Sequence, residues 1–383
     1  VKEKTLLYCN NYNVNILGIE TTCDETSVSL VKVSNFDLEC YKFDIISNII
    51  LSQDIHNIFG GIYPEKAFRK HQENIIKVLQ KAIEGIDIND IDLIGVSAFP
   101  GLIGALATGV AVAKTMGIIL SKPVVPVNHL WGHLFANLAK NHYSINFKES
   151  FPSLGLVVSG GHTNLYLIRN FLPIDIELIS RTLDDAVGEA YDKVARLLGL
   201  GFPGGPVIDK LAKEYIPENK EKPIFPVPKS KEFSYSGLKT AVMRYVKNIR
   251  IEEMESTQKQ SIIKKISYYF QYSAIEHIIR KVEEVLLDYK DDYQRIKSLI
   301  VGGGVAANSL LRKKLSEISN KYNLKLYIPD IILCTDNAAM IAIASFFIYE
   351  SFFKNKNNDI LDFDVYPSED EGLKIYKESI KKR

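Results

Sequence analysis

Ile16-Leu-Gly-Ile-Glu-Thr-Thr-Cys-Asp-Glu-Thr-Ser-Val-Ser-Leu30 sets the architecture, because its plan recurs. An apolar strand, a small polar turn and an alternating strand follow one another, the pattern of a hairpin with one buried face. Leu156-Val-Val-Ser-Gly-Gly-His-Thr-Asn-Leu-Tyr-Leu167 repeats it. A second echo joins Leu93-Ile-Gly-Val-Ser-Ala-Phe-Pro-Gly-Leu102 to Ser298-Leu-Ile-Val-Gly-Gly-Gly-Val-Ala-Ala-Asn308, each an apolar strand running into a glycine turn and then a helix. A hairpin followed later by strand–glycine–helix, twice over, predicts two similar α/β lobes facing a cleft. The length of 383 residues also exceeds what one small core needs. The expected division is an N-terminal extension over 1–13, a first lobe over 14–150, a second over 151–350, and a tail over 351–383 packing back on the body.

Between the echoes the chain reads as helical. Helices are expected over 71–86 and 185–198, and a long amphipathic one over 259–289, where Ile275, Ile278, Ile279, Val282 and Leu286 form one stripe. His277 within that stripe is expected to be structural. Leu93 to Ala113 carries no charge and is long enough on paper to span a membrane. Pro100-Gly101 interrupts it, so a strand (93–98), a turn and a buried helix (103–119) are expected instead, and no membrane segment.

Bulk composition narrows the function classes. The hydrophobic share of 46% and charged share of 24% are those of an ordinary soluble globular protein. A net charge of +1 excludes a broad basic coat, so nucleic acid would be held by local patches. Such patches are Lys220, Lys222, Lys229 and Lys231, and Lys377, Lys381, Lys382 and Arg383. The four cysteines lie far apart, which fits reduced thiols in an intracellular compartment. The chain begins at Val1, which is read as a trimmed or processed start.

The chemistry gathers at a few motifs. His129-Leu-Trp-Gly-His133 follows Asn128, a good helix N-cap, so the two imidazoles share a helix face and can point at one ion. The Glu that follows the first His in zinc peptidases is absent, so metal-assisted peptide hydrolysis is not expected. Ser159-Gly160-Gly161-His162-Thr163 and Gly302-Gly303-Gly304 end strands, where bare backbone N–H groups suit a nucleotide. Asp192, with Pro203-Gly-Gly-Pro206 soon after, suits ribose hydroxyls or, alternatively, a salt bridge with Lys193. Asp336 is either the N-cap of an apolar helix or the hard oxygen ligand that a two-histidine site needs.

Several motifs in order resemble the TsaD family, the bacterial and organellar branch of the tRNA threonylcarbamoyladenosine transferases, formerly classed as O-sialoglycoprotein endopeptidases. They are Gly18-Ile-Glu-Thr-Thr-Cys-Asp-Glu-Thr26, Gly60-Gly-Ile-Tyr-Pro-Glu65, the His129/His133 pair and Val158-Ser-Gly-Gly-His-Thr163. Phe202-Pro-Gly-Gly-Pro-Val-Ile-Asp209, Phe233-Ser-Tyr-Ser-Gly-Leu-Lys-Thr240, Gly303-Gly-Val-Ala-Ala-Asn308 and Thr335-Asp-Asn337 follow. The resemblance spans about Ile16 to Ser345. It implies a two-lobed α/β fold like that of actin, the chaperone ATPases and sugar kinases. It implies one divalent ion, Fe(II) or Zn(II), on His129, His133 and Asp336. It also implies that Val157, Val158, Ser159, Gly160, Gly161, Asp192, Gly205, Asp209 and Asn308 hold an adenylate. The reaction implied moves threonylcarbamoyl from threonylcarbamoyl-AMP to N6 of the adenosine beside the anticodon, in tRNAs reading codons that begin with A. Asp24 and Glu25 are candidates for positioning or proton removal, and Ser159 for steadying the AMP leaving group.

Two departures stand out. Phe99 replaces a glycine usual in the family and is expected to narrow the cleft floor; Trp131 replaces a glutamate between the histidines and removes a carboxylate that would support them. As partners the resemblance implies tRNA, a separate synthase supplying threonylcarbamoyl-AMP, and either a homodimer or a complex with TsaB-like and TsaE-like subunits. An organellar matrix, of mitochondrion or plastid, is favoured over bacterial cytoplasm. The alternatives are a sugar-kinase-like phosphotransferase and a non-catalytic partner subunit.

Overall fold

The computed structural model describes residues 13–37, 40–53, 61–139, 147–218, 221–289, 295–354 and 361–381. The extension expected over 1–13, but for its last residue, lies outside the described residues, as do Lys220, Lys382 and Arg383. Among the described residues, ten strands form two five-stranded sheets. The first has the order β3-β2-β1-β4-β5, from β1 (Asn13–Glu20), β2 (Glu25–Asp37), β3 (Cys40–Ser52), β4 (Leu93–Phe99) and β5 (Val124–Asn128). The second has the order β10-β9-β6-β7-β8, from β6 (Ser153–Val158), β7 (Thr163–Phe171), β8 (Ile174–Ser180), β9 (Ser298–Gly302) and β10 (Lys325–Tyr327). Read from opposite edges, the two orders are one plan used twice. β1 is antiparallel to β2 and parallel to β4, as β6 is to β7 and β9. The two hairpins and two strand–glycine–helix units seen as echoes therefore occupy equivalent places.

Burial explains the strand patterns. β4 and β6 lie inside mixed sheets with both faces covered and are buried throughout, matching their continuous apolar runs. Edge strand β8 alternates between wet and dry positions along most of its length. α1 (Pro64–Ala82) and α2 (Ile103–Leu120) pack together against the first sheet. α1 begins before the expected 71 because Pro64 occupies its first turn, where a missing N–H costs nothing. α2 is long and apolar enough by length and composition to cross a membrane. Its inner face, including Leu106, Gly109, Val110 and Ala113, is buried on the body of the protein.

α3 (His129–Phe135) follows β5 directly. In the second half come α4 (Val187–Leu197), α5 (Gly204–Lys213), α6 (Ser236–Asn248), α7 (Ser256–Asp288) and α8 (Ser309–Tyr322). α7 carries the expected stripe, and His277 on it is buried between the rings of Phe233 and Tyr235. α9 (Ala338–Ile348) and α10 (Glu369–Lys381) end the chain. A boundary at 350 divides the sequence differently from the packing. α9 is apolar on all sides, is wholly buried, and lies on β1, β2 and β4 of the first sheet. Residues 339–348, Phe352, Phe353, Phe363 and Tyr376 belong to the first sheet's core, while the second core ends at Cys334.

Candidate metal centre and interlobe cleft

α3 is held at both ends of its short length. Asn128 caps it, its Oδ1 accepting from Leu130 N at 2.9 Å. A Cβ on Gly302, where β9 ends, would stand 2.2 Å from the carbonyl oxygen of His133, so that glycine lets the second sheet abut the helix. α9 arrives from the other side. A Cβ on Gly18 would stand 2.1 Å from Ala338 O, and Ser27 Oγ accepts from Ala338 N at 2.9 Å. Asn337, not Asp336, caps α9, its side chain accepting from Met340 N at 3.1 Å. That excludes the cap role for Asp336, which is turned instead toward the histidines.

Asp336 Oδ1 lies 3.6 Å from His129 Nε2 and 3.2 Å from His133 Nε2. One donor atom from each of the three residues lies within 4.8 Å of the others. Behind His129, Glu20 at the end of β1 is fully buried, and its Oε2 lies 2.9 Å from Nδ1. Thr22 Oγ1 lies 3.1 Å from the same nitrogen, and Glu20 also accepts from Thr22 N. A carboxylate at Nδ1 fixes the tautomer that aims a bare Nε2 forward. Trp131 thus does not leave the histidines without a supporting carboxylate, because Glu20 supplies one.

The electrostatics favour a cation. Burial would lower the His129 pKa, but the Glu20 and Asp336 carboxylates outweigh it and carry it to about 9, so the metal-free ring holds a second proton, on Nε2, that a bound cation would displace. Burial opposes ionisation of Asp336, yet the two imidazoles beside it hold it at about 2. Burial pushes His133 below the usual imidazole range, leaving the neutral ring that a ligand must be. His133 Nδ1 and Nε2 are buried without a hydrogen-bond partner, Nε2 near Asp336 notwithstanding. Buried polar atoms are nearly always satisfied, so an orphaned imidazole facing a carboxylate and a second imidazole fits a metal ion. Two nitrogens and one oxygen form the donor set of open catalytic sites.

The turn from β1 to β2 borders this triad. Burial, then the carboxylates of Asp24, Asp336 and Glu20, push Glu25 well above the usual carboxylate range. Across from it, the Ser159–His162 turn presents Gly160 and Gly161, whose Cβ positions face open space. Ser159 is nearly buried, and its Oγ accepts from His162 N at 3.2 Å. His162 is kept at about 4 by burial first, and then by the neighbouring imidazoles of His129 and His133. Val157 and Val158 are fully buried core residues, so only their backbone is available to a ligand.

The remaining expected residues gather around Tyr191. Asp192 does not pair with Lys193, whose partners are Asp185 and Glu189. Its Oδ1 accepts from Gly204 N at 2.7 Å, and burial raises it to about 6. Gly204 is packed against Tyr191 O, whereas Gly205 faces open space. Asp209 accepts from Ser309 Oγ at 2.7 Å. Asn308 caps α8 and donates to Gln271 Oε1 at 2.8 Å and Tyr191 OH at 3.4 Å. Phe99 does not narrow a cleft floor; it is wholly buried beneath α10. Glu20, Thr22 and His162 lie within the motifs of the sequence, but only the fold brings them beside this cluster.

A family model for tRNA N6-adenosine threonylcarbamoyltransferase, TsaD, matches residues 44–343. The chain is 43% identical over 347 residues to the tRNA N6-adenosine threonylcarbamoyltransferase of Dictyoglomus turgidum, covering 88% of this chain and 95% of that one. It is 44% identical over 342 residues to the protein of the same name from Thermosipho africanus, covering 88% and 94%. Both are bacterial and lend no support to an organellar compartment. Full-length HypF, solved in a phosphate- and nucleotide-bound form, superposes with a TM-score of 0.52 at 13% identity, covering 91% of this chain and 57% of that one. That likeness shows the fold alone, the two-lobed kind shared with actin and sugar kinases. By the family model over residues 44–343 and by identity over most of its length, the chain belongs to the TsaD family, the tRNA N6-adenosine threonylcarbamoyltransferases.

Proposed function

We propose that this transferase moves the threonylcarbamoyl group of threonylcarbamoyl-AMP to N6 of the adenosine beside the anticodon, in tRNAs reading codons that begin with A, and that it depends on one divalent ion. The observation carrying the metal dependence is the His129, His133 and Asp336 cluster with its orphaned, neutral His133. Fe(II) or Zn(II) suits two imidazoles and a carboxylate. A bound ion would supply Lewis-acid polarisation of the carbamoyl oxygen.

The chain's own residues do the rest. Glu20 keeps the His129 proton on Nδ1. The bare turn at Gly160 and Gly161, with Ser159, offers N–H and hydroxyl groups to the departing adenylate phosphate. Val157, Val158, Asp192, Gly205, Asp209 and Asn308 form the remaining adenylate contacts of this proposal. The attacking amine forms its bond to the carbamoyl carbon as the bond to AMP breaks, and one proton must leave the nitrogen. Glu25, held above the usual carboxylate range, suits that proton, with Asp24 beside it. A kinase-like reading would leave the histidine pair without a role.

The activated substrate comes from a separate synthase. Lys222, Lys229 and Lys231 are exposed beside α6 and are the proposed tRNA contacts, together with Lys220 and the terminal basic residues. α2 shows an uncharged outer face with Ile103, Ile118 and Ile119 exposed, and α1, which packs on α2, also exposes Ile76. That face supports a second copy or a TsaB-like subunit there, with a TsaE-like ATPase as a further partner. Chelation tests the metal dependence: stripped protein should lose transfer and regain it with one equivalent of Fe(II) or Zn(II). Full activity of verifiably stripped protein contradicts it.

A further inference from the structure

α10 lies beyond residues 44–343, the stretch matched by the family model, yet it reaches the helix that carries both histidines. Glu369 Oε1 accepts from Asn128 Nδ2 at 2.8 Å, while Asn128 Oδ1 faces the amides of Leu130 and Trp131. A carboxylate offers only acceptors, so it dictates which end of the Asn128 amide turns toward the helix. Tyr376 OH accepts from Asn128 N at 3.0 Å and donates to Pro126 O at 2.9 Å. The same glutamate accepts from Tyr166 OH at 2.9 Å on β7 of the second sheet. Arg181, just after β8, holds Asp370 at 2.7 Å. One helix end therefore bonds both lobes and the cap of α3.

The apolar side agrees. The Phe99 and Trp131 rings lie 5.5 and 5.4 Å from that of Tyr376. A Cβ on Gly372 would stand 2.0 Å from the Phe99 ring, so only glycine lets α10 come this close. The two departures from the family pattern thus share one neighbour, the terminal helix.

We propose that α10 is an interlobe clamp that orients the histidine-bearing helix, with Glu369 as its positioning residue. Its effect on metal binding rests on the metal reading above; its effect on α3 does not. The test uses the full chain with two readouts: Co(II) affinity from visible absorption, and hydrogen exchange of the 129–135 amides in metal-free protein. Glu369→Gln should weaken Co(II) by about tenfold or more and speed exchange by about fivefold, the size of a lost cap. Asn128→Asp alone sets two carboxylates face to face and should be worse. The double variant Asn128→Asp/Glu369→Gln restores an amide–carboxylate pair with its polarity reversed and should recover both readouts. Wild-type behaviour of Glu369→Gln overturns the clamp, as does a loss that the double variant fails to recover, which would mean general damage. If the wild type binds no Co(II), the metal reading fails and the exchange data decide the clamp alone.

Discussion

Between β1 and β2 the chain runs Thr21-Thr-Cys-Asp24, with Glu25 opening β2, and between β6 and β7 it runs Ser159-Gly-Gly-His162, at equivalent places in two sheets of one plan. The first turn acts through side chains. Glu20 and Thr22 reach His129, and Glu25 stands near Asp336. The second acts through backbone: Gly160 and Gly161 face open space, and Gly188 brings the start of α4 against it, with Glu189 N donating to Gly160 O at 3.0 Å. A duplicated frame supplies two turns at one centre, and residue choice makes one turn acidic and the other an N–H donor. Chemistry here comes from what is grafted on the frame, not from the frame itself.

The acidic turn should be the more sensitive to loss of charge. Glu25→Gln should slow single-turnover transfer by about 10²–10⁴ while leaving bound metal unchanged, measured by quenched flow and metal analysis. An unchanged rate would remove proton transfer from the first turn.

The glycine turn should instead be sensitive to volume, at one position. A Cβ on Gly188 would stand 2.5 Å from Ser159 O and 2.8 Å from Gly160 Cα, both backbone atoms that cannot yield cheaply. Gly188→Ala should cost about 1–3 kcal/mol in urea unfolding and weaken AMP binding by calorimetry. Gly160→Ala, in open space, should leave stability nearly unchanged. Equal stability loss in the two variants would erase the distinction between packed and presented glycines.

A smaller effect separates Asp192 from both turns. Burial raises its folded pKa to about 6, against 3.8 for a solvent-exposed aspartate, so the folded state binds the extra proton between these values. Its contribution to stability is therefore present at low pH and lost as pH rises through about 6. Asn can still accept from Gly204, so Asp192→Asn should show less decline in melting temperature across that window. Parallel pH profiles for the two proteins would contradict the raised value.

Much of this was legible in the sequence because repeated periodicity is local. The two hairpins and two strand–glycine–helix units announce themselves by alternation and punctuation, and the Asn128 cap by residue type. His129 and His133 share a helix face by spacing alone. Glu20 was not legible as a histidine partner, because the contact joins residues 109 positions apart. Nor does an apolar run such as 338–348 state which sheet it will cover; α9 returns to the first sheet after the whole second one is built. Asp336 and Asn337 are adjacent, and both residue types cap helices. Only the approach of β1 and Ser27 to Ala338 turns one inward and makes the other the cap.

Asp336, far beyond α3 in the sequence, is proposed to complete the metal centre that α3 begins, and Asp336→Asn is the decisive variant. A cap would tolerate Asn at little cost, whereas a ligand would not, since a neutral amide is a poorer donor for a divalent ion. Metal content and single-turnover transfer should be measured on the same folded preparation. Both should be lost with the melting curve intact, as a ligand role requires. Retained metal with full transfer would contradict it.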